Sequence, residues 1–299
     1  MNVTKLVAIA SDKTNFTTVA DYVDFCLRFL EFAADGLQAV IVSQNEPHYC
    51  FYQYKKNGHF NVTRPINSRM MYDAAHSRVI KSRFLKTVQE ARDISPDDDD
   101  SRRIICHSIY TIQQSIGAVL DALPAGRSNN ARKINGDLFE RLIRLLITEL
   151  GVDCQSGVVN VPVVVDGGEL FQMSYQHDLV VRFRGEVKVI GSVKTSSKDR
   201  IDKIFMDKFL YSRLAETDIP HIAIFLNDVQ RKKTRQENKF GVSATFLPGH
   251  FKGYTIKLNP LDGVYYCDIR PNMQTDPLLK LDIQTIDHLF CTDLWSLLE

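Results

Sequence analysis

Asp178 and Lys194 have the types and the spacing for metal-assisted phosphoryl chemistry. Asp178 opens a run of branched residues, Leu179-Val180-Val181; Gly185 offers a turn, and a second run over 187–193 delivers Lys194. An acid and a lysine therefore fall at neighbouring strand ends. In-line attack on a phosphodiester requires oxygen anions to hold a divalent cation and a cationic group to offset developing charge. Asp178 and Lys194 supply one of each. Two residues before the lysine, where a second carboxylate would serve such a site, stands Ser192. Asp207 lies thirteen residues past Lys194, on a segment where Ile201, Ile204, Phe205 and Phe209 recur at helical spacing. Its carboxylate is the expected second metal ligand, and the Val193 carbonyl a natural additional one.

Taken together, the pattern Asp178…Ser192-Val193-Lys194…Lys198-Asp199-Arg200…Asp207 resembles the PD-(D/E)xK nucleases. More narrowly, it is similar to the branch of type II restriction endonucleases that includes EcoRII, SsoII and NgoMIV, which cut sites built on CC and GG. The resemblance spans about residues 135–268. It implies an α/β fold, a mixed central β-sheet flanked by helices, with Mg²⁺ as cofactor. It also implies that the acid usually near the lysine has moved to the helix, as Asp207, and that Lys198-Asp199-Arg200 reads C:G pairs. Glu140, in Gly136-Asp137-Leu138-Phe139-Glu140, looks like the family's G-x-x-[FWY]-E element, which supports the metal site. Three positions depart from the pattern: His177 replaces a proline, Asp207 is shorter than a glutamate, and Lys198 replaces an arginine.

The resemblance implies cleavage of double-stranded DNA that leaves 5′-phosphate and 3′-hydroxyl ends. Arg200 suits guanine O6 and N7 bidentately and Asp199 accepts from a cytosine amino group, each correct pair being worth about 1–3 kcal/mol of discrimination. A palindromic site is met by a two-fold reader, so a homodimer is expected, with a companion DNA methyltransferase in the same cell. Two alternatives stay open: a catalytically silent DNA-binding protein, and a repair nuclease without sequence preference on the same fold.

Composition bounds these readings. With 299 residues, 44% of them hydrophobic, the chain can bury a large core, and no apolar run approaches a membrane span. Six scattered cysteines without a C-x-x-C pair point to neither a zinc site nor a disulfide framework, and a reducing cytoplasm fits them. A net charge of +1 does not announce nucleic acid, so placement matters. Arg231-Lys232-Lys233 with Arg235 is the densest basic run, equally consistent with a solvated loop and with phosphate contact.

Residues 1–100 read as a helical or mixed accessory region for DNA contact or dimerisation, and residues 101–299 as the nuclease core. Within the first, 21–34 is a helix presenting Tyr22, Phe25, Phe29 and Phe32, and 37–42 a short strand. Tyr49 to Tyr54 alternate into a hairpin turning at Asn57-Gly58. Its aromatics favour cross-strand packing, the other reading being that Tyr49 and its neighbours stack on a base. A helix is expected over 68–91, then an exposed acidic linker over 95–101 as the boundary. In the core, helices over 104–123 and from an N-cap at Asn135 to 150 precede strands at 158–165, 170–181 and 221–226. An exit loop follows at 227–231, and two further strands at 254–258 and 264–269. Trp295 marks a packing helix or a dimer element.

Overall fold

In the computed structural model, which describes every residue except Met1, Asn57, Asp199 and Glu237, the chain opens with two helices, α1 (Val3–Ser11) and α2 (Val19–Gly36). α1 buries Val3, Leu6, Val7 and Ala10, an i, i+3, i+4, i+7 stripe. A capping box between Thr18 and Asp21 starts α2. Strands β1 (Ala39–Val42), β2 (Tyr49–Lys56), β3 (His59–Val62) and β4 (Ile66–Asn67) form a small antiparallel sheet. The expected hairpin is therefore present as β2–β3, although Asn57 of its turn lies outside the described residues.

Two short helices, α3 (Ser77–Val79) and α4 (Leu85–Gln89), follow, joined through a π turn. The helical stretch starts at Ala74 rather than 68 because the Asp73 side chain accepts from the Ala75 and His76 amides and caps it there. The long helix α5 (Asp99–Leu120) comes next. The acidic run is exposed, as expected, yet it opens this helix: Asp98 accepts from the Ser101 amide at 3.0 Å, and Asp99 and Asp100 sit in the first turn, where the helix dipole favours negative charge. From Ser108 to Leu120 every residue of α5 is buried, and α1, α2 and α6 (Ser128–Glu149) share one core with it.

α6 begins seven residues before the expected cap. Asn135 lies inside it, buried, taking a 3.0 Å hydrogen bond from Gln113 of α5, so this polar residue serves a buried helix contact rather than a helix start.

The main sheet has the order β12-β11-β8-β7-β6-β5. Its members are β5 (Asp153–Val165), β6 (Gly168–Phe183), β7 (Glu186–Lys194), β8 (His221–Phe225), β11 (Gly263–Tyr266) and β12 (Ile283–Thr285). β12, β11, β8 and β7 run parallel, and β6 and β5 antiparallel, so the sheet is mixed as expected. Period-two alternation divides its faces: Ile222 and Ile224 join the core with α5 and α6, while Ala223 and Phe225 face α7 (Ile201–Ala215) and α8 (Pro248–Lys257). Burying each such branched or aromatic side chain is worth about 1.5–3 kcal/mol.

Two expectations fail here. Residues 254–258 are not a strand: Pro248 starts α8, which packs Phe251 on Phe205 and leaves Ile256 exposed. Its Tyr, Thr and Ile mimic strand composition, but Phe251 and Tyr254, three residues apart, both pack on Phe205 and hold one helical face. Likewise the exit loop at 227–231 becomes strand from Val229, as β9 (Val229–Lys233) pairs with β10 (Phe240–Ala244). Short helices α9 (Pro271–Thr275), α10 (Leu279–Asp282), α11 (Ile286–His288) and α12 (Leu294–Leu298) close the chain. In α12, Trp295 donates to the Phe290 carbonyl and packs under Arg92. Among the described residues no helix is long and apolar enough to cross a membrane.

Candidate active site

β6 and β7 position Asp178 and Lys194 through an irregularity that the sequence did not announce. The β5–β6 register runs from Gln155 opposite Val180 to Gly157 opposite His177, so β6 carries an extra residue and Asp178 lies in a β-bulge. A bulge re-aims the side chain it contains. Before it, Tyr175 and His177 point towards Tyr211 of α7. After it, Leu179 and Val181 join the core on the α6 side. Asp178 is fixed at the switch by three contacts. Its carboxylate accepts from the Val193 amide at 2.8 Å and from the Lys194 ammonium, and its backbone carbonyl accepts from Arg144 at 3.2 Å.

Glu140 completes the cluster. It lies about three turns into α6, not one, because the helix starts early. From there its Oε1 accepts from Lys194 Nζ at 3.1 Å. Lys194 thus bridges two carboxylates from separate elements, and all three side chains keep partial contact with solvent. Burial alone would depress the Lys194 ammonium, but Asp178 and Glu140 outweigh it and hold its pKa above the usual lysine range. Burial, and then the charge of Asp178, push Glu140 upward, with Lys194 offsetting part of the shift. Two carboxylates face the Lys194 ammonium, with the Arg144 guanidinium on the backbone of Asp178.

Of the expected metal ligands, Asp178 and Val193 are together. A strand residue's N–H and C=O point to the same edge, so the Val193 carbonyl faces the edge where its amide meets Asp178. Asp207 is not brought to this cluster. Its carboxylate bonds Lys203 at 2.6 Å, one turn back on α7, and faces the His177 side of β6. On α7 Asp207 lies beside the buried Ile204, Lys208 and Tyr211. Among the described residues no three His, Cys, Asp or Glu side chains converge in a metal-binding group.

The turn after Lys194 presents Lys198 and Arg200 to solvent, and no carboxylate of the described residues pairs with either. Asp199, the expected cytosine reader between them, lies outside the described residues. Arg231 stands on β9, where its guanidinium donates to the Val62 carbonyl at 2.7 Å and lies over Phe240. Its neighbours Lys232, Lys233, Arg235 and Lys239 are exposed. Tyr49 is 0% exposed and donates to Asp268, so it offers no ring for a base; Phe51 and Tyr54 are likewise buried, whereas Phe60 on β3 is exposed. Sequence reading missed Arg144; the signal available was its place one turn beyond Glu140 on the same helix face.

No family model matches the chain, and no curated protein matches it. Among solved structures, the chain is similar to the crystal structure of the Type IIP restriction endonuclease Kpn2I, with a TM-score of 0.67 at 16% sequence identity, covering 99% of this chain and 97% of that one. The fold is thus restriction-endonuclease-like along nearly the whole chain.

Proposed function

We propose that this chain is a type II restriction endonuclease, cutting double-stranded DNA in a Mg²⁺-dependent reaction at a short palindromic site containing CC/GG. The observation that carries the reading is the Glu140–Lys194–Asp178 cluster, set at the active end of a sheet whose fold is shared with a Type IIP restriction endonuclease. The donors suit Mg²⁺, which takes hard oxygen ligands, commonly one or two carboxylates plus substrate phosphate and water. Asp178, Glu140 and the Val193 carbonyl would hold it; Asp207 has no part in this set. When bound, the ion supplies Lewis-acid polarisation of the scissile phosphate and a more acidic water.

The protein's own residues do the positioning. Arg144 and the Val193 amide fix Asp178 in its bulge. The Lys194 ammonium orients the attacking water and offsets charge on the phosphate oxygens. Water oxygen bonds to phosphorus as the bond to the 3′ oxygen breaks, leaving 5′-phosphate and 3′-hydroxyl ends. Lys198 and Arg200, in the loop after Lys194, read the base edges, with Asp199 of the same sequence run as the cytosine reader, while Arg231 anchors a basic hairpin at the phosphates. Residues 1–100 act as the accessory region that braces α5 and α6. Two copies meet the two strands of a palindrome, and a companion methyltransferase protects the same site in the cytoplasm of the host.

Digestion of a plasmid of known sequence, with Mg²⁺ and with EDTA, followed by sequencing of the ends, tests this. Discrete Mg²⁺-dependent fragments ending at CC/GG sites are expected. A smear would point to a nuclease without sequence preference, and intact DNA to a silent binder.

A further inference from the structure

β5 and β6 run far beyond their neighbours. β7 pairs with β6 only from Leu179 to Phe183, so beyond His177 the two long strands hold each other alone. At about 3.3 Å per residue this free ribbon projects on the order of 30 Å, from the sheet end where Asp178 and Lys194 lie. Near its base, Val161 and Tyr175 pack on Tyr211. Further out, Leu170 is 67% and Phe171 56% exposed, beside exposed Val164 and Val165.

Charge says what this surface is not for. No Lys or Arg occurs between residues 154 and 181, and the tip carries Asp166 and Glu169. Phosphate contact needs cations, so a DNA-facing role is disfavoured. The far end of β6 is opposite in sign: Arg182 and Arg184 form no ion pair among the described residues, and Arg184 lies over Phe183, itself partly exposed. A ribbon with Asp166, Glu169 and apolar surface at one end and Arg182, Arg184 and Phe183 at the other, where Asp153 opposite Arg182 is its one acid, is complementary to itself when turned around.

We infer that the β5–β6 ribbon is the surface on which a second copy of this chain docks, antiparallel about a two-fold axis, the Asp166 and Glu169 tip of one against Arg182 and Arg184 of the other. The choice of a second copy rests on the proposed reaction, since two strands need two Asp178–Lys194 clusters. Pro162, midway along the edge strand β5, removes a ladder donor on the outer edge, so the copies meet through side chains and not by extending the sheet.

Sedimentation velocity on the purified full chain, without DNA, tests this separately from cleavage. The wild type is expected at twice the chain mass. Leu170→Ser with Phe171→Ser should raise the dissociation constant by about tenfold or more, the scale of one lost anchor, with an unchanged circular dichroism spectrum because both residues are exposed. Arg184→Glu should weaken association similarly, and adding Asp166→Arg and Glu169→Arg should restore it. A monomeric wild type, or a dimer indifferent to the serine variant, overturns the docking surface. Weakening without restoration by the charge exchange overturns the antiparallel arrangement. Loss of DNA binding in the serine variant from a monomeric wild type would assign the ribbon to DNA instead.

Discussion

Two hairpins leave the same end of the main sheet and differ in almost every respect. β9–β10 starts three residues beyond Leu226, and between Val229 and Ala244 it carries five Lys or Arg residues with one acid. It is braced by a second sheet. Gln44 donates to the Phe240 carbonyl, Asn45 exchanges two hydrogen bonds with Val242, and Val229 and Val242 pack on Tyr49 and Phe51. β5–β6 is longer, has no cation over its outer part and lacks such a brace. A two-stranded ribbon is marginal alone in water. The difference teaches that positive charge and support travel together here: the cationic hairpin is braced from behind, and the one with the acidic tip is left with apolar surface exposed.

The largest separation of these roles comes from the cluster between the hairpins. Lys194→Ala should lower the cleavage rate by about 10³-fold, the scale of removing one group that stabilises transition-state charge, while leaving DNA affinity and association mass unchanged. Single-turnover cleavage alongside a filter-binding isotherm separates the two. Equal loss of binding and cleavage would mean that Lys194 only holds DNA.

Changing Lys232, Lys233, Arg235 and Lys239 together to glutamine should cost on the order of 10²-fold in DNA affinity and flatten the dependence of log K on log salt by about 0.9 for each phosphate no longer neutralised. The serine variants of Leu170 and Phe171 should leave that slope alone. If the two sets of variants flatten it equally, the contrast between the hairpins has no functional content.

Arg144→Ala reaches the site indirectly. It removes the donor to the Asp178 carbonyl in the bulge, and removing such a supporting hydrogen bond typically costs about 10- to 100-fold in metal affinity or activity. A higher Mg²⁺ requirement, with DNA affinity intact and partial rescue in Arg144→Lys, is expected; an unchanged Mg²⁺ dependence would make the interaction structural only.

The legible parts of this molecule were those written in local pattern. Alternation and turns located β6 and β7, and the run from His221, apolar from Ile222 to Leu226, located β8, because a strand buried on both faces has few polar positions. Asp178 and Lys194 were found by type and spacing, and Glu140 through the family resemblance, and the three meet. What was not legible depended on helix start points and on register. Asn135 looked like a cap until α5 supplied Gln113 as its partner. Asp207 was placed by distance along the chain, and its carboxylate is held instead by Lys203, on the His177 side of β6. The bulge at Asp178 has no local signature, since it exists only as a mismatch against β5, and without it the alternation of β6 would carry one face unbroken past Asp178.

The smallest predicted effect again distinguishes the hairpins, this time through their foundations. Beneath β9, burial pushes the Asp228 carboxyl up to about 7, opposed by Arg270, and that of Asp268 up to about 6, opposed by hydrogen bonds from Asn67 and Tyr49. Both carboxyls therefore hold protons more tightly in the folded chain than in the unfolded one, where an aspartate titrates near 3.8. Their contribution to stability is fully present below that value and is lost as pH rises through about 6 and 7. With Arg270 sharing the charge, the loss should amount to on the order of 1–2 kcal/mol. Denaturant midpoints measured from pH 5 to pH 8 should fall accordingly, and Asp228→Asn should flatten the fall, because an amide has no proton to release. Hydrogen exchange locates the effect. Amides of β9 and β10, which rest on this network, should lose protection over that pH range after correction for the intrinsic rate, whereas those of β5 and β6, which do not, should keep it. Equal loss in both hairpins would show that the acids act on the whole fold and not on the base of one ribbon.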